Sequence, residues 1–332
     1  MLNKLTYIDL FAGIGGFHQA MDSFGASCVF ASEWDKDCQY TYEENYGIKP
    51  HGDITQIDEK EIPAHDILCA GFPCQAFSIS GKQKGFEDSR GTLFFEIARI
   101  AKYHQPKMLL LENVRNFEKH DNGNTLSIVK ATLEEIGYKF FSKVLNASHF
   151  GVPQKRERIF MVAFRKDLNI DSFTFPSGTK SNVSLQTFLD KTNNHNHLII
   201  QRDDILFKEN IDIKKDMFGN YPQKPIRIGT VNKGGQGERI YSPFGHAITL
   251  SAYGGGIGAK TGLYQIDAVI RRLSPDECRR ITGFPENFKL HPKATVSYKQ
   301  FGNSVVVNVL HAILNHIEDN HILDKQTIKV AS

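Results

Sequence analysis

Two side chains that do covalent chemistry together stand at the ends of two buried-strand patterns. Cys74, in Gly71-Phe72-Pro73-Cys74-Gln75, follows the run from His65 to Ala70, which places one thiol at a strand exit within reach of a substrate. Further on, Leu109-Leu110-Leu111 leads into Glu112-Asn113-Val114, so a second strand delivers a carboxylate to the same edge of a parallel sheet. Thiol plus acid suggests covalent catalysis. A Gly-rich turn, Ala12-Gly13-Ile14-Gly15-Gly16, follows the first strand, and Glu33 ends the second. That is how a doubly wound sheet holds an adenosine-bearing cofactor.

A lone Gly-x-Gly is weak, because any tight strand-to-helix turn needs glycine. Here Tyr7 to Leu10 reads as the strand, and Phe17 to Phe24 as a helix whose first amides are suited to a carboxylate. Glu33 falls 18 residues after Gly15, near the spacing at which an acid accepts from a ribose diol. Trp34, the only tryptophan, and Phe11 offer flat faces to a purine, and Asp53 in Gly52-Asp53-Ile54-Thr55 is suited to an exocyclic amine. The turn does not cleanly supply the phosphate-binding third position of a dinucleotide site, so S-adenosylmethionine fits better than NAD.

These residues need a framework. Strand-like runs at Tyr7–Leu10, Cys28–Ser32, Ile67–Ala70, Met108–Leu111, Lys143–Asn146 and Ile159–Phe164 alternate with helical patterns such as Leu93–Tyr103 and Thr125–Ile136. Such alternation predicts an α/β fold, a parallel sheet covered by helices. From about Pro176 Ser, Asn, Thr and His rise, and ten of the 27 glycines lie between Gly229 and Gly262. A smaller domain is expected there, built either of backbone loops that approach a ligand or of turns in a small antiparallel sheet. Val305 to Asn315 reads as an apolar helix returning to the first domain. The expected division is 1–172, 173–270 and 271–332.

At 332 residues and 40% hydrophobic content the chain can bury a real core. No run approaches the ~18 apolar residues of a membrane span, and no secretory signal precedes the first strand, so a soluble cytoplasmic protein is expected. Five cysteines without a Cys-x-x-Cys pair indicate neither a disulfide framework nor a metal site. The net charge of +3 balances 40 basic against 37 acidic residues and does not by itself announce nucleic acid. Basic clusters at Lys82–Lys84, Lys155–Arg158, Lys233–Arg239 and Arg271–Arg280 could line a cleft.

In order and over nearly its whole length, the chain resembles the DNA (cytosine-5) methyltransferases of bacterial restriction-modification systems. Asp9 to Phe17 is similar to their cofactor loop, Gly71 to Ser78 to the nucleophile loop, Glu112-Asn113-Val114 to the acid motif and Gln154 to Arg158 to the arginine motif. Arg272 to Glu277 and Gln300 to Val305 are similar to the last two motifs. The resemblance implies an S-adenosylmethionine-dependent, Rossmann-like, parallel-rich sheet with a smaller target-recognition domain. Cys74 would add to carbon 6 of cytosine and Glu112 would act at ring nitrogen 3. Arg158 would hold carboxyl and base, with Arg156 also in the catalytic set.

It further implies cofactor contacts from Phe11, Gly13, Gly15, Glu33, Trp34, Asp53, Ile54, Leu93, Asn303 and Val305, and no metal. Double-stranded DNA would be the partner, with the target base rotated out of the helix. Ser80 and Gln236 would fill the vacated space. The segments Gly234–Ser242 and Leu250–Gly256 are similar to those of family members that modify the inner cytosine of GCGC, with Gln236, Arg239, Tyr253 and Gly256 reading bases. A monomer is expected, with an endonuclease of the same site acting beside it without a stable complex. The alternatives are a tRNA-methylating relative, a catalytically silent DNA-binding module and a nicotinamide-dependent oxidoreductase.

Overall fold

The computed structural model describes residues 2–73, 93–179, 182–192, 195–209, 211, 213–217 and 219–324. Two compact units emerge: residues 1–145, 157–176 and 310–332 form the first, and 146–156 with 177–309 the second.

The first unit is a six-stranded sheet in the order β2-β1-β3-β4-β6-β5. Its strands are β1 (Thr6–Leu10), β2 (Ser27–Ser32), β3 (Ile67–Gly71), β4 (Met108–Val114), β5 (Tyr138–Asn146) and β6 (Glu157–Arg165). β1, β2, β3 and β4 are parallel neighbours. They read as continuous apolar runs because helices cover both faces, and Ile67–Ala70 and Met108–Leu111 are buried throughout. Helices α1 (Gly16–Asp22), α2 (Lys36–Tyr46), α3 (Leu93–His104) and α4 (Asn124–Glu135) connect them. One core cluster joins Ile8, Leu68 and Leu109 of the sheet to Phe94, Ile97 and Ala101 of α3 and Val129 and Leu133 of α4.

The expected strands and helices are present, with one consequential difference. β6 runs antiparallel to β4. Strand direction leaves no trace in an apolar run, and here it decides the site: only a reversed strand brings its first residues to the edge where β4 ends.

Buried histidines give this unit an acid sensitivity. His18 Nδ1 lies 2.7 Å from the Tyr42 hydroxyl, the ring stacks on Tyr46, and burial lowers its pKa to about 4. Burial likewise lowers His65, whose Nδ1 is 2.8 Å from the Pro63 carbonyl, to about 4. In the unfolded chain both protonate near 6.5, so between 6.5 and 4 the unfolded state binds more protons. This contribution is complete above pH 6.5 and is lost as pH falls through that window, by roughly 3 kcal/mol per ring at pH 4. We expect the thermal midpoint of His18→Asn to fall less steeply than wild type between pH 6.5 and 4.5. Asp9, whose buried carboxyl titrates in the opposite sense, is common to both proteins, so parallel curves would rule His18 out.

The second unit carries a five-stranded sheet in the order β11-β10-β9-β8-β7. Its strands are β7 (Leu206–Phe207), β8 (Ile226–Thr230), β9 (Arg239–Ser242), β10 (Leu263–Ile266) and β11 (Val269–Arg271), antiparallel except for β9 with β10. Ile228, Val231, Ile240, Leu263 and Ile270 form its small core. α5 (Pro275–Ile281) opens with a capping box between Ser274 and Glu277, and the buried Glu277 carboxylate also takes both arms of Arg271, at 2.7 and 2.8 Å. α6 (Ala294–Asn303) follows, and α7 (Val307–Asp319) leads back into the first unit.

The first unit takes up the chain again at 310, and the short segment 146–156 groups with the second. The reason is long-range: Gln154 Nε2 donates to the Ile281 carbonyl at 3.0 Å, and Arg156 donates to three carbonyls of the second unit. Among the described residues no helix is long and apolar enough to cross a membrane.

Candidate active site

The acid is built by three strands. Gly71, at the end of β3, is in register with Glu112 of β4, and a Cβ on Gly71 would sit 3.8 Å from Glu112 Oε2. Phe72 and Pro73 therefore leave the sheet beside the carboxylate. β6 sets Arg158 opposite Val114, from where its Nε lies 3.1 Å from Glu112 Oε1. The two side chains keep only 16% and 11% of their exposure. A sheltered pair of this kind is costly to break, since either partner alone would leave a buried charge.

Asn113, not singled out from the sequence, has a part of its own. Its buried Nδ2 donates to the Phe72 carbonyl at 2.9 Å, and its Oδ1 accepts from the Val114 amide at 2.8 Å. It fixes the backbone two residues before Cys74. The only hint was its place beside Glu112. Cys74 and Ser80 lie outside the described residues. Arg156 is buried and donates to the backbone carbonyls of Leu250, Gly302 and Ser304 within the second unit.

On the cofactor side, β1 and β2 end together. Glu33 Oε2 accepts from the Gly13 amide and Oε1 from the Asp35 amide, each at 2.8 Å. The acid expected to face a ribose thus also clamps the turn that would hold the rest of the cofactor. Burial raises its pKa, and the amides of Asp35 and Gly13 oppose the rise. Tyr46 donates from its hydroxyl to the Gly15 carbonyl at 2.9 Å, closing the turn from behind. α1 is shorter than expected, ending at Asp22, and it starts from Gly15 in the left-handed region. Phe11 also has positive φ, at 54°.

Trp34 is 77% exposed beside the buried Glu33. Asp53 caps the short turn Ile54–Gln56 by accepting from the Thr55 amide at 3.0 Å, and Ile54 is buried beneath it. Leu93 opens α3. Asn303 ends α6, exposed, and the buried Val305 follows in the second unit.

These residues fit an adenosine-bearing cofactor. Gly13 has open space where a side chain would stand, and its amide donates to the buried Glu33, whose chain neighbour Trp34 is exposed. Behind the turn Asp9 is fully buried. Burial holds its carboxyl well above the usual range, with the charge of Glu33 adding to the shift and the His18 amide opposing it.

In the second unit the four base-reading candidates come together. Gly237 is at φ +81°, and any Cβ there would collide with the Gly255 carbonyl oxygen. The Gly258 amide donates to the Gly237 carbonyl at 2.7 Å. Two glycine-rich turns, 234–237 and 254–258, thus pack backbone to backbone, which only glycine permits. Gln236, Arg239, Tyr253 and Gly256 are exposed on and beside them. The turn 234–237 joins the antiparallel strands β8 and β9, and 254–258 lies between β9 and β10, so the glycines form turns within the sheet of this unit.

The C-5 cytosine-specific DNA methylase family model matches residues 5–319. The chain belongs to this family. Among curated relatives, this methylase is 57% identical over 316 residues to Type II methyltransferase M.HhaI of Haemophilus parahaemolyticus, covering 95% of each chain. It is 43% identical over 323 residues to Type II methyltransferase M.SsoII of Shigella sonnei, covering 95% of this chain and 80% of that one. The crystal structure of the S. pombe Dnmt2 methyltransferase superposes with a TM-score of 0.69 at 19% identity, over 95% of this chain and 99% of that one, a likeness of fold. The methylase is an enzyme of the type II restriction-modification kind, takes S-adenosylmethionine as methyl donor and acts on DNA. The nicotinamide and silent-module alternatives fall with that result.

Proposed function

We propose that this methylase modifies the inner cytosine of GCGC in duplex DNA through a covalent bond from Cys74. The observation that carries the chemistry is the sheltered Arg158–Glu112 pair beside the strand exit that leads to Cys74. Carbon 5 of cytosine is a poor nucleophile. The Cys74 thiolate adds to carbon 6, the ring electrons move toward carbon 5, and Glu112 stabilises the charge at nitrogen 3 by hydrogen bonding or protonation. Bound S-adenosylmethionine supplies the methyl group that carbon 5 takes up. Loss of the carbon 5 proton then expels the thiolate. Arg158 keeps Glu112 aimed, and Asn113 holds the chain before Cys74.

The acceptor base must leave the helix, and Ser80 and Gln236 fill the gap. Glu33, Trp34, Phe11, Asp53, Ile54 and Leu93 hold the adenosine part of the cofactor with the turn at Gly13 and Gly15; Asn303 and Val305 of the last motif are further cofactor contacts that the resemblance implies. The methylase works as a monomer, and an endonuclease of the same specificity acts beside it without forming a complex.

The choice of GCGC rests on the likeness of the recognition segments, supported by the gathering of Gln236, Arg239, Tyr253 and Gly256 on packed turns. The Arg239 guanidinium can donate twice to one guanine, and such a pair discriminates by ~1–3 kcal/mol. Arg239→Ala should therefore relax one guanine position by roughly tenfold or more. Lys233→Ala should instead weaken binding to all duplexes alike and flatten its salt dependence. Methylation rates on duplexes carrying each single-base change in GCGC test both. Equal loss on every duplex in Arg239→Ala would refute its reading.

A further inference from the structure

The turn that carries Gln236 is gripped by Arg202 and Asp204, which belong to none of the segments that resemble the family. Arg202 lays two arms on Asp204, Nε to Oδ1 at 2.6 Å and Nη2 to Oδ2 at 2.8 Å, a forked pair that fixes orientation as well as distance. The same Nη2 donates to Asn232 Oδ1 at 2.6 Å, and the Asn232 amide donates to Asp204 Oδ2 at 2.9 Å. Asn232 stands at φ +46°, a left-handed position that asparagine takes more readily than most residues. Its Nδ2 donates to Glu238 Oε1 at 2.9 Å, and Glu238 Oε2 accepts from the Gly235 amide at 2.8 Å. The charges agree with this chain of bonds. Arg202 holds the Asp204 carboxyl well below the usual carboxylate range, with the Asn232 amide adding to it, and the Asn232 side chain and the Gly235 amide lower Glu238.

The bonds lead on to Arg239. β8 and β9 pair as far as the rung of Thr230 with Arg239, and beyond it the backbone turns through 231–238. Arg239 Nε donates to the Gly234 carbonyl at 3.3 Å, so the place of Gly234 sets the plane of the guanidinium and leaves the base-reading bonds to its two terminal nitrogens. Gly235, whose amide Glu238 holds, is the next residue. We propose that Asp204 is a specificity-determining positioning residue: through Arg202, Asn232 and Glu238 it fixes the turn 231–238 and so the aim of Arg239 at its guanine. This rests on the assignment of Arg239 to a guanine. Forked recognition of O6 and N7 needs the guanidinium in the plane of the base, whereas attraction to phosphate does not, so a turn that swings loses discrimination first. With 34% and 41% of their side chains exposed, Arg202 and Asp204 contribute little to folding stability. Their effect is to order the turn before a duplex arrives, which removes that cost from binding.

The test uses the full-length protein and compares methylation of a GCGC duplex with that of duplexes changed at each guanine in turn. Arg239→Ala marks the guanine it reads by the position it relaxes. Asp204→Ala should relax that same position by roughly threefold or more and leave discrimination elsewhere as in wild type. Asp204→Asn keeps an acceptor for the Arg202 and Asn232 donors but not the charge, and should lie between the two. In the Arg239→Ala background, adding Asp204→Ala should cost no further discrimination, because the brace has nothing left to aim. A residue that only supports the fold would lower methylation of every duplex alike, or would add the same loss of discrimination in both backgrounds. Either result overturns the proposal, as does a folded Asp204→Ala that keeps the wild-type preference. Should Asp204→Ala not fold, Asn232→Gly decides in its place: glycine takes the left-handed φ without strain and drops both side-chain bonds, and wild-type discrimination there overturns the proposal. An Arg239→Ala that relaxes no position refutes the reading of Arg239 itself, and the brace with it.

Discussion

Glu112→Gln will slow methyl transfer in a single turnover by about 10²- to 10⁴-fold, the range that a positioned acid or base contributes. Its affinity for S-adenosylhomocysteine should stay close to wild type, because Glu112 stands on β4 with Arg158 and not at the Gly13 turn. Glutamine keeps the shape and a hydrogen-bonding end but carries no charge to hold a proton at nitrogen 3. Glu33→Ala should fail in the other way. It removes the acceptor for the Gly13 and Asp35 amides, frees the turn, and should weaken S-adenosylhomocysteine binding by about tenfold or more before it touches the rate at saturating cofactor. Calorimetry and rapid quench on the two variants separate the roles, and equal loss of cofactor affinity in both would contradict the division of labour.

Cys74→Ser carries the largest expected effect, a loss of methylation of about 10⁴-fold or more, since a serine hydroxyl is a far weaker nucleophile than a thiolate at neutral pH. The informative readout is a trap. A duplex with 5-fluorocytosine at the target has no proton to lose from carbon 5, so the thiolate cannot be expelled after methyl transfer. Wild type incubated with this duplex and S-adenosylmethionine should give a denaturation-resistant adduct, and Cys74→Ser should give none. An adduct that persists in the variant would place the covalent bond elsewhere. Asn113 belongs to the same account through its bond to the Phe72 carbonyl.

Much of this arrangement was readable from local patterns. Gly71 and Glu112 end apolar runs, and buried parallel strands are written as such runs, so their common edge followed from the sequence. Glu33 followed from its distance to the glycine turn. What was not readable is whatever depends on contacts far apart in the chain. The antiparallel direction of β6 has no signature in Ile159–Phe164, yet it alone brings Arg158 to Glu112. Arg156 and Arg158 look alike two residues apart, and nothing local announces that Arg156 donates to three distant backbone carbonyls while Arg158 pairs with Glu112. The grouping of 146–156 with the second unit follows from the bonds of Gln154 and Arg156 to residues more than ninety positions away, which no local pattern announces. The second use of Glu33, as a clamp on Gly13, was hidden for the same reason.

The most direct measurement is bisulfite sequencing of DNA from cells expressing the wild-type chain or Cys74→Ser. The account predicts that the inner cytosine of every GCGC resists conversion in the wild-type sample, that cytosines in other contexts convert, and that protection vanishes with Cys74→Ser. Protection centred on another sequence would contradict the GCGC assignment, and protection that survives in Cys74→Ser would contradict the covalent mechanism at its root.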